Sequence, residues 1–300
     1  MISRRRFLQL LGAGVLASGY GALHATIMEP MFLQRVKRDR LILPRWPDGL
    51  TLRIAALADL HACEPWMSNR RIERIVDQTN QLEPDLIVLL GDYTTGMNFV
   101  SRITKAEEWA PLLGRLSAPL GVYAILGNHD WWEDVAAQQR GDGPTEVQLA
   151  LDASGIPVLE NDAFRVEKDG HAFWLAGLGD QLALLPYQRF GRDRWRGRDD
   201  LAATLAKIDG TDPIILLAHE PDVFPRVPDR VSLTLSGHTH GGQIRLMGWS
   251  PVVPSAYQNR FAYGHVVENG RHLLVSGGLG MSKLPVRFGM RPEINLIDIG

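Results

Sequence analysis

The chain has 300 residues, 45% of them hydrophobic and 22% charged, which supplies a packed core and excludes an intrinsically disordered chain. Its formal net charge of −2 provides no global basic field, so nucleic acid is not expected as the main partner. Cys63 is the only cysteine, which excludes a disulfide framework and a cysteine-based zinc knuckle. Any metal site must be made from His, Asp, Glu and Asn.

Residues 1–23 differ from everything after them. Ser3-Arg4-Arg5-Arg6-Phe7-Leu8-Gln9 opens an uncharged, glycine-rich apolar run that reaches Leu23. This resembles a twin-arginine export signal, with Gln9 where lysine is usual. The alternative, an ordinary amphipathic helix, lacks a polar opposite face. No clean A-x-A cleavage triplet follows, and the run is near the lower end of the ~17–25 residues that span a bilayer. Residues 1–25 are therefore read as a signal peptide or as a retained membrane anchor. With Arg4, Arg5 and Arg6 inside, the remainder is expected in the periplasm or on the inner membrane facing it. The twin-arginine export machinery is the partner this implies. Residues 26–49 are a connecting segment. Its basic Arg35, Lys37, Arg38 and Arg40 precede Leu41, as in an edge strand with a solvated face; a contact to anionic lipid is the alternative.

From residue 50 to 300 a single domain is expected. Residues 51–58 read as a strand, and 68–82 as a helix with Ile72, Ile75, Val76 and Leu82 at helical spacing. The continuous apolar run 85–90 predicts a strand buried on both faces. A helix follows at 104–116, a strand at 121–126, and a helix at 145–153 with Pro144 just inside its start. Later strands are expected at 172–176, 213–218, 231–235, 272–275 and 294–299, with a helix at 201–208. This is an α/β fold with at least two sheets flanked by helices. Segments 141–143 and 189–198 read as surface loops within it.

Chemistry-bearing residues close the apolar runs in order. Asp59-Leu60-His61 follows 51–58, and Gly91-Asp92 follows 85–90. Gly127-Asn128-His129-Asp130 follows 121–126, His219 follows 213–217, and Gly237-His238-Thr239-His240 follows 231–236. Carboxyl ends of neighbouring strands are where open α/β sheets place ligands. A lone D-x-H or H-x-H is a common surface coincidence. Here five of the nine histidines fall inside five such motifs.

The ordered series resembles the calcineurin-like metallophosphoesterase family, from about Leu52 to the C-terminus. Ala218-His219-Glu220-Pro221-Asp222 and Gly237-His238-Thr239-His240-Gly241-Gly242-Gln243 are most similar to its exported or membrane-associated bacterial subgroup. The resemblance implies a four-layer α/β/β/α sandwich and two divalent metal ions. By it, Asp59, His61 and His240 hold one metal, Asn128, His219 and His238 hold the other, and Asp92 bridges them. Such a mixed N/O set suits Mn, Fe, Zn or Co. Two ions about 3.5–4 Å apart clamp a phosphoryl oxygen and activate a shared water, so no protein nucleophile is needed. No G-x-S-x-G element or P-loop occurs. His129 is the expected proton donor to the leaving group, with Asp130 orienting it. Cys63 is expected as a small buried thiol.

The implied activity is hydrolysis of a phosphodiester or pyrophosphate in a small-molecule or lipid-linked substrate. A UDP-2,3-diacylglucosamine diphosphatase of lipid A assembly is the narrower alternative, although its substrate is made on the cytosolic side. An exported protein phosphatase would need an open site. A non-catalytic metal- or phosphate-binding protein would require a missing ligand, and none is missing.

Overall fold

The computed structural model describes residues 3–187 and 191–300. The N-terminal apolar run forms helix α1 (Arg4–Leu23), started by Ser3, whose hydroxyl accepts the Arg6 N–H at 3.4 Å. None of its side chains is buried. A wider, π-type turn over His24–Met28 and a short helix α2 (Glu29–Phe32) continue it. The whole segment Arg4–Phe32 is long and apolar enough to cross a membrane.

The chain then lays down β1 (Arg35–Leu41), β2 (Leu52–Leu57), β3 (Cys63–Glu64), α3 (Asn69–Asn80), β4 (Leu86–Leu89), β5 (Arg102–Ile103), α4 (Ala106–Leu113), β6 (Val122–Ala124), α5 (Asn128–Trp132), α6 (Val135–Arg140) and α7 (Glu146–Ala153). The second half adds β7 (Asp162–Lys168), β8 (His171–Gly177), α8 (Leu201–Ala206), β9 (Ile214–Leu217), β10 (Val231–Ser236), β11 (Gly264–Glu268), β12 (Arg271–Val275) and β13 (Glu293–Ile299).

Two large sheets result, with strand orders β1-β13-β2-β4-β6 and β11-β12-β10-β9-β8-β7, and β3 and β5 pair as a small two-stranded ribbon. Alternation along each strand sorts the side chains into layers. In β4, Leu86 and Val88 point into a core shared with Phe173, Leu175, Ile215 and Leu233 of the second sheet. Ile87 and Leu89 point the other way, against Ile72, Ile75 and Trp109 of α3 and α4. The outer face of the second sheet is covered likewise, by Val223 and Phe224 against Ile214 and Leu273. Helices, sheet, sheet and an outer helical layer make the α/β/β/α sandwich. All four β4 side chains are buried, each stabilising by about 1.5–3 kcal/mol on leaving water.

Several boundaries differ from the expectation. Thr145 is the cap of α7, its hydroxyl accepting the Gln148 N–H at 3.1 Å, so Pro144 precedes the helix instead of beginning it. Edge strands β7 and β11 escape sequence reading because the polar side chains of exposed edges carry no apolar signature. The solvated edge strand expected near Leu41 is β1, paired in parallel with β13. Of loop 189–198, residues 189 and 190 lie outside the described residues, and the rest is irregular and largely exposed.

Candidate metal centre

Strands β2, β4 and β6 run parallel in the first sheet, and β8, β9, β10 and β12 in the second. Their carboxyl ends open on the same side, and the motif residues sit on the turns that leave them. Asp59 and His61 follow β2, Asp92 follows β4, Asn128 and His129 begin α5 after β6, His219 follows β9, and His238 and His240 follow β10. Five of these side chains need a backbone that ordinary turns avoid. Asp59, His61, Asp92, His238 and His240 all have positive φ, between 48° and 67°. Such left-handed residues cost about 1–3 kcal/mol each and cluster where function requires them.

The result is two adjoining, fully buried triads. Ligand atoms of Asp59, His61 and His240 lie within 4.8 Å of one another, as do those of Asp92, His219 and His238. The His61 and His240 Nε2 atoms face each other at 3.1 Å, and His238 Nδ1 meets Asn128 Oδ1 at 2.8 Å. Asp92 Oδ2 stands between the triads, 3.6 Å from His61 Nε2 and 3.2 Å from His219 Nε2. The rings are held from behind. His61 Nδ1 lies 2.8 Å from the Thr94 carbonyl, and His219 Nδ1 lies 2.6 Å from that of Leu90. Those carbonyls can only accept, which puts a proton on each Nδ1 and turns each Nε2 inward.

This donor set fits divalent cations. Asp59 Oδ2 is buried without a hydrogen-bond partner, a costly condition that a cation removes. Burial pulls His61 down to about 3 and holds His240 well below the usual histidine range, so both rings are neutral donors. Asp92 is held well below the usual carboxylate range: burial opposes its charge, but His219 and His129, both raised above the ordinary histidine range, outweigh burial. Carboxylate, amide oxygen and imidazole together suit first-row divalent ions.

His129 belongs to neither triad. Its backbone N–H donates to Asp92 Oδ1 at 2.8 Å, while its ring lies edge-on to His61 at 5.1 Å between centroids. Ring atom Nε2 reaches Ser282 Oγ at 3.4 Å, and Nδ1 lies 3.2 Å from Glu133 Oε1. Burial pulls the imidazolium pKa down, yet Asp92 and Glu133 overcome it, and the value lies above the ordinary one. Glu133, not Asp130, therefore orients the ring, because neighbours on a helix point apart while residues four apart share a face. Asp130 does something else. Its carboxylate accepts the backbone N–H groups of Gly127, Asp92 and Tyr93 at 2.8–2.9 Å and of Thr94 at 3.2 Å, tying the turns after β4 and β6 together.

Three further buried groups line the centre beyond those expected from the motifs. Asp180 and Glu220 flank His219, and burial, then Glu220, pushes the Asp180 carboxyl well above its usual range. Gly179-Asp180 closes an apolar run just as Gly91-Asp92 does, so the chain does carry a signal for it. Arg287, fully buried, donates to the carbonyls of Gly280 and Met290 and places Nη2 3.2 Å from His240 Nδ1. Nothing in its sequence neighbourhood announces that. Cys63 is a free, buried thiol, pushed up to about 11 by burial. Trp131 and Tyr93 are core, and the Trp132 ring lies tilted against His129.

Residues 52–242 match the family model described as calcineurin-like phosphoesterase. The chain belongs to that family. It is 30% identical over 306 residues to the metallophosphoesterase YkuE of Bacillus subtilis (strain 168), covering 99% of this chain and 98% of that protein. It is also 30% identical over 310 residues to the phosphodiesterase YaeI of Escherichia coli (strain K12), over the full length of both. A transmembrane protein with a metallophosphoesterase domain from Danio rerio is 33% identical over 98% of this chain, which spans 62% of that relative. The chain is accordingly a hydrolase acting on phosphoesters, with buried His and Asp clusters suited to divalent metal.

Proposed function

We propose that the protein is a dinuclear phosphodiesterase held at a membrane, with its catalytic domain on the side opposite Arg4, Arg5 and Arg6. The observation that carries this is the pair of adjoining buried triads, in which Asp92 of one lies 3.6 Å from His61 of the other. Asp59, His61 and His240 would hold one ion and Asn128, His219 and His238 the other, with Asp92 between. Bound there, two such ions supply Lewis acidity to a phosphoryl oxygen and an activated water.

The chain's own residues do the rest. His129, at the mouth and biased toward its protonated form, donates a proton to the departing oxygen, which an alkoxide leaving group needs and an aryl one does not. Glu133 holds that ring through Nδ1. Asp130 fixes the spacing of the Asp92 and Asn128 turns. The full-length likeness to a protein named a phosphodiesterase supports the diester over the monoester. A lipid-linked pyrophosphate is the narrower reading, supported by the apolar N-terminal helix. Ser3-Arg4-Arg5-Arg6 followed by that helix supports export by the twin-arginine machinery to the periplasmic face.

The test is a substrate panel with and without Mn²⁺: bis-p-nitrophenyl phosphate, p-nitrophenyl phosphate and a UDP-linked lipid. Metal-dependent turnover is expected with preference for the diester. A preference for the UDP-lipid would move the assignment to the pyrophosphate, and metal-independent or absent turnover on all three would overturn it.

A further inference from the structure

An unusual set of side chains surrounds the mouth of the centre. At the turn Leu246-Met247-Gly248-Trp249, the backbones of Leu246 and Trp249 exchange both hydrogen bonds, at 2.8 and 2.9 Å. Met247 and Gly248 both have positive φ, 50° and 84°. Tight turns of this kind ordinarily use Asn, Asp or Gly at the first position. Here a methionine takes the strained place and stands fully in solvent (108% exposed), flanked by exposed Leu246 and Trp249. Such strain on an unpacked apolar side chain contributes nothing to folding.

A second loop adds to the same surface. Phe288 and Ile244, both part-exposed, are bridged backbone to backbone, and Leu284 is exposed just before them. Gln243 binds the two loops together by donating to the carbonyls of Leu284 and Val286. This surface adjoins the centre directly: Gln243 lies three residues beyond His240, and Ser282, two before Leu284, touches His129.

The same surface is continuous with the root of α1. The Arg287 N–H donates to the Ala25 carbonyl at 2.8 Å, and His24 packs edge-on against Phe288. Buried Glu29 accepts the N–H groups of Gly289 and Met290 at 3.0 and 2.6 Å. The helix therefore leaves the domain from the apolar rim, already clamped to it. At 1.5 Å per residue its 20 residues reach about 30 Å, the thickness of a hydrocarbon core. Exposed Lys283 lies beside the apolar tips, as suits an anionic lipid surface.

We propose that Ile244, Leu246, Met247, Trp249, Leu284 and Phe288 form a membrane-docking rim, resting on the bilayer that takes α1. The metal centre then opens onto the lipid surface and receives phosphoesters carried by it. That last step rests on the phosphodiesterase reading above; the docking does not.

The test uses the full chain reconstituted into protein-free vesicles of phosphatidylcholine and phosphatidylglycerol. Because Cys63 is buried, Met247→Cys allows one environment-sensitive fluorophore to be placed at the tip, with Leu149→Cys on α7 as the remote control. The label at 247 should shift to the blue and be quenched by brominated acyl chains, and the label at 149 should do neither. Equal, water-like behaviour of both labels would overturn the docking. So would a label at 247 that is shielded in native membranes but wet in protein-free vesicles, which would assign the rim to a protein partner. In a Leu246→Ser/Trp249→Ser variant, hydrolysis of a vesicle-borne phospholipid with a fluorogenic headgroup diester should fall at least about fivefold, with soluble bis-p-nitrophenyl phosphate within about twofold of wild type. Equal loss on both substrates would overturn delivery from the lipid surface. Quenching without any turnover by the wild type would uphold the docking and overturn the hydrolase reading instead.

Discussion

The Nε2 atoms of His61 and His240 lie 3.1 Å apart across 179 residues of chain. The His61 proton is committed to the Thr94 carbonyl through Nδ1, so its Nε2 presents a lone pair to the other ring. Arg287 donates to His240 Nδ1, so the His240 proton lies on Nε2 between the two rings, where a bound cation would replace it. Chelation should therefore lower the thermal midpoint of the wild type by roughly 5 °C, relative to metal at a hundredfold excess over its Kd. In His240→Ala, metal should no longer raise the midpoint. Calorimetric scans with and without chelator check this; identical wild-type midpoints would remove the metal from the account.

Gly127 sits between the two halves of the centre. A Cβ there would lie 2.4 Å from Asp92 Oδ1 and 2.7 Å from the His219 ring. Its φ of −111° is ordinary, so only space forbids a side chain. Gly127→Ala should fold yet bind metal at least about tenfold more weakly, by displacing two donors at once. Metal titration followed by inductively coupled plasma analysis reads the outcome, and unchanged metal content would show that the turn yields more freely than its packing suggests.

His129→Ala should keep its metal and lose turnover by about 10²–10⁴-fold. The loss should be largest for alkyl leaving groups and smallest for p-nitrophenol. Glu133→Gln should show the same trend with a smaller loss, because it keeps the ring's position but weakens its bias toward the charged form. Rates across a series of leaving-group pKa values decide the point; a uniform loss for all of them would assign His129 to substrate binding.

Asp130→Ala should act on stability first. It leaves at least three buried backbone N–H groups unpaired, each worth about 1–3 kcal/mol when stranded, so a total near 3 kcal/mol or more is expected in urea unfolding. A loss below about 1 kcal/mol would mean that the turns hold their shape without it.

Glu29→Ala should release the root of α1 from the domain. Two amides, of Gly289 and Met290, lose their buried acceptor, at roughly 2–5 kcal/mol. Proteolysis near residues 24–33 should accelerate in the variant while the 50–300 core stays resistant. Equal digestion of both proteins would show that the clamp adds nothing in solution.

Much of this is legible in the chain itself. Runs such as 85–90 must be strands covered on both faces, since five consecutive apolar residues, Leu86 to Leu90, have no solvent side to show. The polar residues that end such runs must lie at the carboxyl ends of strands, and position along the chain alone puts Asp59, Asp92, Asn128, His219 and His238 there. The apolar segment behind Arg4, Arg5 and Arg6 declares itself by composition. What only the tertiary structure decides depends on distance across the fold. Helical spacing of four makes Glu133 a possible partner of His129, but only the fold shows Asp130 turned to four backbone amides, three of them from the turn after β4. Nor can spacing show that Arg287 backs His240, that Asp180 joins His219, or that Met247 and Phe288 share a surface with the root of α1. Local sequence carries the period of an element and the chemistry at its end. Which ends meet is determined by how two sheets pack, and that is a property of the whole chain.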